Sequence, residues 1–283
     1  MDLPIPALVV LLSSSVSLSA QWLGYPTPGI PRTPGGKPNL SAPAPRTPDG
    51  KPDLSGVWAI HTTNSAISLA VDQKARPLPF GLGGTSNLPY RSGVAEKAKN
   101  AIRTEEPITL CLPTRLVIEH TLRAEDAGAR KIVQTPGLLL ILFEFNSMFR
   151  QIFTDGRPLP TDPNPAWNGY SVGKWEGDTL VVESSGFKHG QWLDFGGDPL
   201  TDAAKITERF RRPDFGHLQV EMTVDDPKSY TRPFTFTLND VLLADTDLLE
   251  MICLENEKDL KHLSPHDISP NLDIGPGDPS AIR

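Results

Sequence analysis

The sequence predicts an all-β protein whose strands form one antiparallel up-and-down β-barrel. The clearest observation is residues 169–187, where two strand-forming runs flank a turn at Glu176-Gly177-Asp178. Gly and Asp tolerate the left-handed backbone of a tight turn, whereas Val and Leu favour a pleated strand. Similar hairpin patterns recur along the chain without a long helical pattern between them. A sheet of about nine or ten strands tends to close on itself, and a β-sandwich is the alternative architecture.

The chain begins with a pattern that is typical of a secretory signal. Residues 7–12 are apolar, residues 13–19 are mostly serine, and Ala20 suits a cleavage site. Asp2 and the lack of an early basic residue depart from that pattern, so a mis-assigned start or a disordered N-terminus is the alternative. We expect residues 1–20 to be a signal peptide and the protein to be exported, to the periplasm or out of the cell.

Residues 21–53 form a predicted Pro/Gly-rich linker that precedes a β-barrel domain at residues 54–263. The linker contains a near-repeat, because PRTPGGKPNLS at 31–41 returns as PRTPDGKPDLS at 45–55. Many prolines remove backbone donors and favour extended chain without packing contacts. Residues 264–283 are again rich in Pro, Gly and Asp, which predicts a disordered tail.

The predicted strands are short and lie mostly in the second half of the chain. In chain order they are residues 55–62, 131–134, 138–145, 148–153, 171–175, 179–183, 205–212, 217–225, 231–238 and 242–256. Residues 138–145 are a nearly continuous apolar run of strand length, which predicts burial on both faces. Residues 63–92 lack periodicity and predict a long loop, whereas residues 93–103 predict a short helix.

Net charge and hydropathy exclude two classes of partner. The formal net charge is −7, which gives no general attraction to nucleic acid or to an anionic membrane surface. No apolar run reaches the ~18 residues that a membrane-spanning helix needs. We therefore expect neither nucleic-acid binding nor membrane insertion, and the sequence indicates no oligomeric state.

The two cysteines, Cys111 and Cys253, are expected to form a disulfide if the protein is exported. The bridge would close a loop of about 140 residues and stabilise the fold by about 5 kcal/mol in the chain-entropy model. Two buried free thiols are the alternative. Neither cysteine has a CxxC partner, which disfavours a zinc site or a redox motif.

Alternation along two predicted strands places a carboxylate and a guanidinium among apolar side chains. Glu208 shares a face with Ile206 and Phe210, and Arg150 shares a face with Ile152. A carboxylate in such surroundings needs a partner or has a raised pKa. We therefore expect a Glu208–Arg150 pair inside the barrel, with two surface charges at strand ends as the alternative.

The predicted strand at 217–225 separates polar and apolar side chains onto opposite faces. Its polar face, which includes His217 and Glu221, either meets water or lines the barrel interior. A metal ion shared by these two residues is disfavoured, because positions four apart on a strand are ~13 Å apart. No metal site is predicted.

The loop after the 169–187 hairpin carries His189, Trp192 and Asp194. We expect these side chains at the mouth of a pocket, because binding residues concentrate on loops held by rigid strands. A solvated loop with Trp192 folded over the barrel end is the alternative. The chain has no GxSxG, no HExxH and no glycine-rich phosphate loop. Serine hydrolysis, zinc proteolysis and nucleotide chemistry are therefore disfavoured, and no cofactor is predicted.

Several motifs together resemble a family of secreted bacterial proteins of mostly unassigned function. They are TPDGKPDLSGVW at 47–58, KIVQTPG at 131–137, RQIFTDGR at 150–157, the hairpin at 169–187, TERFRR at 207–212 and CLENE at 253–257. The resemblance covers residues 45–263. The Gly56-x-Trp58 opening is also similar to the G-x-W start of lipocalins, which implies a lipocalin-like barrel with Trp58 at its closed end.

These observations predict an exported, lipocalin-like barrel that binds a small, largely apolar molecule. The candidate ligand-binding residues are Trp58, Phe143, Tyr170, Trp175, His189 and Trp192. Tyr170 and Trp175 lie on opposite faces of their strand, so at most one of them faces the interior.

An enzyme on the same scaffold is the alternative function. It would be an isomerase, lyase or hydrolase that uses acid–base chemistry inside the barrel. Its candidate catalytic residues are His217, Glu208 and Glu221, with Arg150 stabilising a developing anion. A third possibility is a surface binding module that acts through the Pro-rich arm.

Overall fold

The computed structural model describes residues 24–60, 88–99, 112–113, 116–121, 128–193 and 197–252. The predicted signal peptide at 1–20, the predicted tail at 264–283 and Asp194 lie outside these ranges. Cys111 and Cys253 also lie outside them. Export and the disulfide therefore stay predictions.

The described part of the chain is all-β apart from two short helices. Its elements are β1 (Gly56–Ile60), α1 (Val94–Lys99), α2 (Leu116–Thr121), β2 (Arg130–Thr135), β3 (Leu138–Phe143), β4 (Phe149–Phe153), β5 (Tyr170–Glu176), β6 (Thr179–Ser185), β7 (Gln191–Trp192), β8 (Pro199–Leu200), β9 (Lys205–Arg211), β10 (His217–Asp225) and β11 (Phe234–Leu242). Nine of these strands close into a barrel in the order β1-β11-β10-β9-β6-β5-β4-β3-β2, whereas β7 and β8 pair separately. The predicted barrel is therefore confirmed.

The barrel is mixed, which corrects the prediction of a purely antiparallel up-and-down barrel. β4 and β5 run parallel, with Ile152 and Phe153 facing Ser171 and Val172, and the other neighbours in the ring are antiparallel. A ring of nine strands cannot alternate in direction all the way round, because nine is odd. One parallel pair removes the conflict. Residues 154–169 supply the crossover connection that a parallel pair requires.

The β5–β6 hairpin matches its prediction from the sequence. The two strands pair antiparallel from Tyr170 opposite Ser185 to Glu176 opposite Thr179. Gly177 lies in the turn with a φ of 60°, in the left-handed region that glycine adopts without a steric penalty. Local turn chemistry and strand propensity therefore suffice to define this element.

The expectation that residues 138–145 are buried on both faces is wrong, because only one face of β3 is buried. Burial alternates along the strand, with Leu139, Ile141 and Phe143 buried and the residues between them half-buried. Neighbouring residues on a strand point to opposite faces, so only every second side chain reaches the interior of a barrel. The outer face continues onto β4, where Phe149 is 61% exposed.

Inward-facing side chains and α2 together form one apolar core. α2 packs against β1 and contributes Leu116 and Val117 to the same cluster as the barrel residues. The next turn of this helix carries His120, which is also buried. α1 lies within the helix predicted at residues 93–103, whereas α2 was not predicted. No helix in the described ranges combines the length and the hydropathy needed to cross a membrane.

The N-terminal segment 24–53 lies along the barrel. The backbone N–H groups of Phe215 and Gly216 donate to the carbonyl oxygens of Ala42 and Leu40, at 2.7 and 2.8 Å. Proline removes backbone donors but leaves every carbonyl oxygen able to accept. A Pro-rich segment can therefore be held by donors that the barrel supplies.

The two copies of the near-repeat fold in the same way. In each copy, the arginine donates to the carbonyl oxygen four residues later and to an aspartate beside a barrel strand. The two sets are Arg32, Gly36 and Asp245 in the first copy, and Arg46, Gly50 and Asp178 in the second. The repeat thus forms two equivalent clips, defined as residues 31–39 and 45–53, which attach the N-terminal segment to the barrel.

Candidate functional site

The barrel interior contains an extensively bonded ion pair between β4 and β9. Arg150 and Glu208 are both buried. The guanidinium donates through Nη1 to Glu208 Oε1 at 3.0 Å and through Nη2 to Oε2. It also donates to Ser171 Oγ at 3.1 Å and to Ser184 Oγ at 3.0 Å. The predicted contact between Arg150 and Glu208 is therefore present.

Strand order explains how these four side chains meet. β5 and β6 lie between β4 and β9 in the ring, so the Arg150 side chain crosses both strands to reach Glu208. Ser171 and Ser184 face each other on those two strands, and their Oγ atoms are 2.8 Å apart. Small side chains at this level leave room for the long arginine, and their hydroxyl groups accept its remaining hydrogen bonds.

A second buried ion pair joins the two strands that flank β1. Arg130 on β2 and Asp240 on β11 are 0% and 1% exposed, and Arg130 Nη2 donates to Asp240 Oδ2. Nε and Nη1 of Arg130 and Oδ1 of Asp240 have no hydrogen-bond partner among the described residues. This pair is therefore bonded at one point, in contrast to Arg150 and Glu208.

His120 extends from α2 into the same interior. Its Nε2 lies 3.6 Å from Glu208 Oε1, which is longer than a hydrogen bond. Its ring meets the rings of Phe143 and Phe210 edge-on, with centroids 6.0 and 6.1 Å away. Within the described ranges, neither ring nitrogen has a hydrogen-bond partner. The imidazole is thus held by apolar contacts while both of its polar atoms stay available.

The pKa values of His120 and Asp240 move in opposite directions. Burial lowers the pKa of His120 well below its ordinary value, and the charges of Arg130 and Arg150 lower it further. Burial raises the pKa of Asp240, against the charge and hydrogen bond of Arg130. A neutral imidazole has one donor and one acceptor nitrogen. The site therefore presents donors on Arg130, an acceptor on Asp240 and one of each on His120.

Trp58 packs at the end of the barrel where β1 begins. It is fully buried, and its Nε1 donates to the carbonyl oxygen of Leu54 at 3.0 Å. The Arg212 guanidinium lies over the indole, 4.8 Å from the ring centroid. Burial lowers the pKa of Arg212 to about 10, so the group stays charged at neutral pH. Trp58 and Arg212 together cover this end of the apolar core.

The remaining predicted ligand-binding residues occupy different positions. Phe143 is buried on the inner face, and Trp175 is half-buried and packed against the core. Tyr170 is 36% exposed on the opposite face of β5, as expected from their spacing. His189 is exposed, and Trp192 is half-buried on β7, outside the nine-stranded ring. Of this set, Trp58 and Phe143 are fully inside.

The structure does not bring His217 or Glu221 to Glu208. Both residues are exposed on the outer face of β10, where burial alternates between apolar residues inside and polar residues outside. His217 Nδ1 lies 2.7 Å from Oδ1 of Asp214, in the preceding turn. The polar face of this strand therefore meets water and does not line the barrel interior.

Sequence reasoning missed several residues of this interior, namely His120, Arg130, Ser171, Ser184 and Asp240. Strand alternation identifies Asp240 only when β11 is extended to Leu242, because it then shares the inner face with Phe236 and Leu238. The same signal places Arg130 with Ile132 on β2. His120 had no comparable signal, because a helix of six residues is too short for a clear periodicity.

No protein-family model matches the chain, and no curated protein matches it. Within the described ranges, no three or more His, Cys, Asp or Glu side chains are grouped closely enough to hold a metal ion.

Proposed function

We propose that the protein is an exported, lipocalin-like binding protein that holds one small, largely apolar molecule inside its barrel. One observation carries this proposal: in the described part of the chain, five buried polar atoms of His120, Arg130 and Asp240 have no hydrogen-bond partner. An unpaired polar atom of this kind costs about 1–3 kcal/mol. The side chains around them belong to the apolar core, so a bound molecule with an apolar body and a polar group complements both.

The contrast with the neighbouring ion pair supports this proposal. Folded proteins leave few buried polar atoms unpaired, and each exception calls for a specific explanation. Arg150 and Glu208 have the partners that such groups need. Of the seven buried side-chain atoms without a partner in the described ranges, five lie on three other side chains of the same interior, and the other two, Asn168 Oδ1 and Gln191 Oε1, lie outside the barrel strands. A ligand site explains this distribution, whereas general loose packing does not.

Native mass spectrometry of the full chain, purified without detergent, tests the proposal. We expect a bound molecule that is released by organic solvent, or one that binds from a panel of apolar compounds. Arg130→Met should lower the affinity by about ten- to 150-fold, since a lost hydrogen bond to a charged group is worth about 1.5–3 kcal/mol. Glu221→Gln is the control, because it changes a polar side chain on the outer face. If nothing binds, the proposal is wrong.

Acid–base catalysis on the bound molecule is a second candidate function. It is favoured by two buried groups with perturbed pKa values, which are lowered for His120 and raised for Asp240, because perturbed titratable groups are concentrated at functional sites. These two residues would take the roles predicted for His217 and Glu221. The test is deuterium uptake from D₂O at a carbon of the bound molecule. Uptake that disappears in His120→Gln supports catalysis, and no uptake leaves binding alone.

A further inference from the structure

We infer that the Arg130–Asp240 pair selects an electrically neutral ligand whose polar head carries a hydrogen-bond acceptor beside a hydrogen-bond donor. A primary carboxamide is the simplest member of this class. The inference rests on the proposed binding function and adds the chemistry of the ligand's polar end.

Hydrogen-bond complementarity gives the first part of the argument. The free Nε and Nη1 of Arg130 are attached to the same carbon as the bonded Nη2, and the free Oδ1 of Asp240 to the same carbon as the bonded Oδ2. Two free donor nitrogens and one free acceptor oxygen therefore lie next to the single hydrogen bond between Arg130 and Asp240. A carbonyl oxygen can accept from Arg130 while a neighbouring N–H donates to Asp240.

The charge balance of the interior gives the second part. Arg130 and Arg150 contribute two positive charges, and Glu208 and Asp240 contribute two negative charges. His120, the other titratable group described in this cluster, is neutral because burial lowers its pKa. With Asp240 ionised in its pair with Arg130, the charges of these five groups therefore sum to zero. A carboxylate or an ammonium group would add an unbalanced ion in surroundings where desolvation costs several kcal/mol.

Three compounds with the same alkyl chain test the inference on the full chain. Isothermal titration calorimetry at pH 8 compares decanamide, decanoate and decylamine, which differ in the charge and hydrogen-bonding groups of the head. We expect decanamide to bind at least about tenfold more tightly than either charged compound. Equal affinities, or a preference for decanoate or decylamine, would overturn the inference.

A substitution that changes the net charge of the interior cluster provides an independent test. Asp240→Asn removes a negative charge and leaves Arg130 unbalanced, so the preference should move from decanamide towards decanoate. Glu221→Gln removes the same charge from the outer face of β10 and should leave the wild-type preference unchanged. Circular dichroism establishes that each variant is folded. If Asp240→Asn does not fold, the wild-type ranking decides the question.

The outcomes separate this inference from the proposed function beneath it. If decanamide does not bind but another molecule co-purifies with the protein, the head-group inference fails and the binding function stands. If neither the decyl compounds nor any other small molecule binds, both fail, and water is then the partner of the unpaired atoms.

Discussion

Arg150 and Arg130 face the same physical problem, because each guanidinium is removed from water inside the barrel. Arg150 is surrounded by oxygen atoms, two from Glu208 and one each from two serines. Arg130 has one oxygen from Asp240. The desolvation penalty of a buried ion is offset only when its hydrogen bonds are made. The first pair therefore has a structural role, whereas the second is suited to binding.

Glu208→Gln should destabilise the protein strongly. The substitution removes the charge that balances Arg150 and leaves a buried guanidinium, which typically costs about 3–5 kcal/mol. Urea unfolding monitored by circular dichroism measures the change. Glu221→Gln, the same substitution on the exposed face of β10, should change the free energy of unfolding by less than about 0.5 kcal/mol. Equal effects of the two substitutions would contradict a structural role for the Arg150–Glu208 pair.

The low pKa of His120 predicts a pH-dependent stability. Below about pH 6.5 an unfolded histidine takes up a proton that the buried His120 does not. The free energy of unfolding should therefore fall with decreasing pH, by up to about 1.4 kcal/mol per pH unit from this residue, until the folded pKa is reached. Asp240, whose folded pKa is raised, acts in the opposite direction, because the folded state keeps its proton from the ordinary aspartate pKa up to the raised one.

Comparison with His120→Gln isolates the histidine term, because Asp240 is present in both proteins. The stability difference between wild type and variant should change between pH 7 and pH 5, as measured by urea titration at each pH. Parallel curves would mean that His120 takes up a proton in the folded state, contrary to its buried and unpaired position.

At the scale of elements, the two clips show that the two copies of the sequence repeat have the same local structure. In each clip, a hydrogen bond from the arginine to a backbone carbonyl oxygen of the same clip holds the guanidinium in position to bind its aspartate. The Arg46 guanidinium lowers the pKa of Asp178, chiefly through hydrogen bonds. Arg32 does the same for Asp245. Prolines in the segment led us to expect a linker without packing contacts, yet its carbonyl oxygens and arginines supply the contacts.

Each clip should therefore control the pKa of its own aspartate. Arg46→Ala should raise the Asp178 pKa towards its ordinary value and leave that of Asp245 unchanged. Arg32→Ala should have the reverse effect, so each variant is the control for the other. Carboxyl NMR titration measures both values. A rise at both aspartates in either variant would indicate that the two clips form and break together.

Strand boundaries decided which interior residues could be predicted. Glu208 and Arg150 lie well inside their predicted strands, so alternation assigned them correctly to the inner face. Asp240 lies two residues beyond the predicted end at Leu238, although β11 continues to Leu242. Arg130 lies one residue before its predicted strand. Strand boundaries depend on tertiary pairing, which intrinsic propensity does not include, and for this reason Arg130 and Asp240 were not assigned to the inner face from the sequence.

At the scale of the whole molecule, the barrel followed from many short strands in sequential order, but its parallel pair did not. The direction of β5 relative to β4 depends on the path of residues 154–169, which carry no regular pattern. Because the closed ring has nine strands, at least one pair of neighbouring strands must run parallel. The described structure places this contact at Ile152 and Phe153, beside the inward-facing Gly173.

Gly173→Ala should strain this junction. The added methyl group would lie 3.0 Å from Thr154 Cγ2, 3.1 Å from Leu180 Cδ1 and 3.2 Å from Ile152 Cγ2, distances that require the surrounding side chains to move. Overpacking of this kind costs about 1–3 kcal/mol, which exceeds the gain of about 0.4–1 kcal/mol from a less flexible unfolded chain. Chemical denaturation should show the loss.

Gly35→Ala is the matched control for Gly173→Ala, because its added methyl group would meet only Thr33 Oγ1, at 3.9 Å. That substitution should leave stability unchanged or raise it slightly, through the unfolded state. Equal effects of the two substitutions would mean that the side chains beside Gly173 yield without cost. In that case the parallel junction would contain free space, and β4 and β5 would not have to pack closely for the barrel to close.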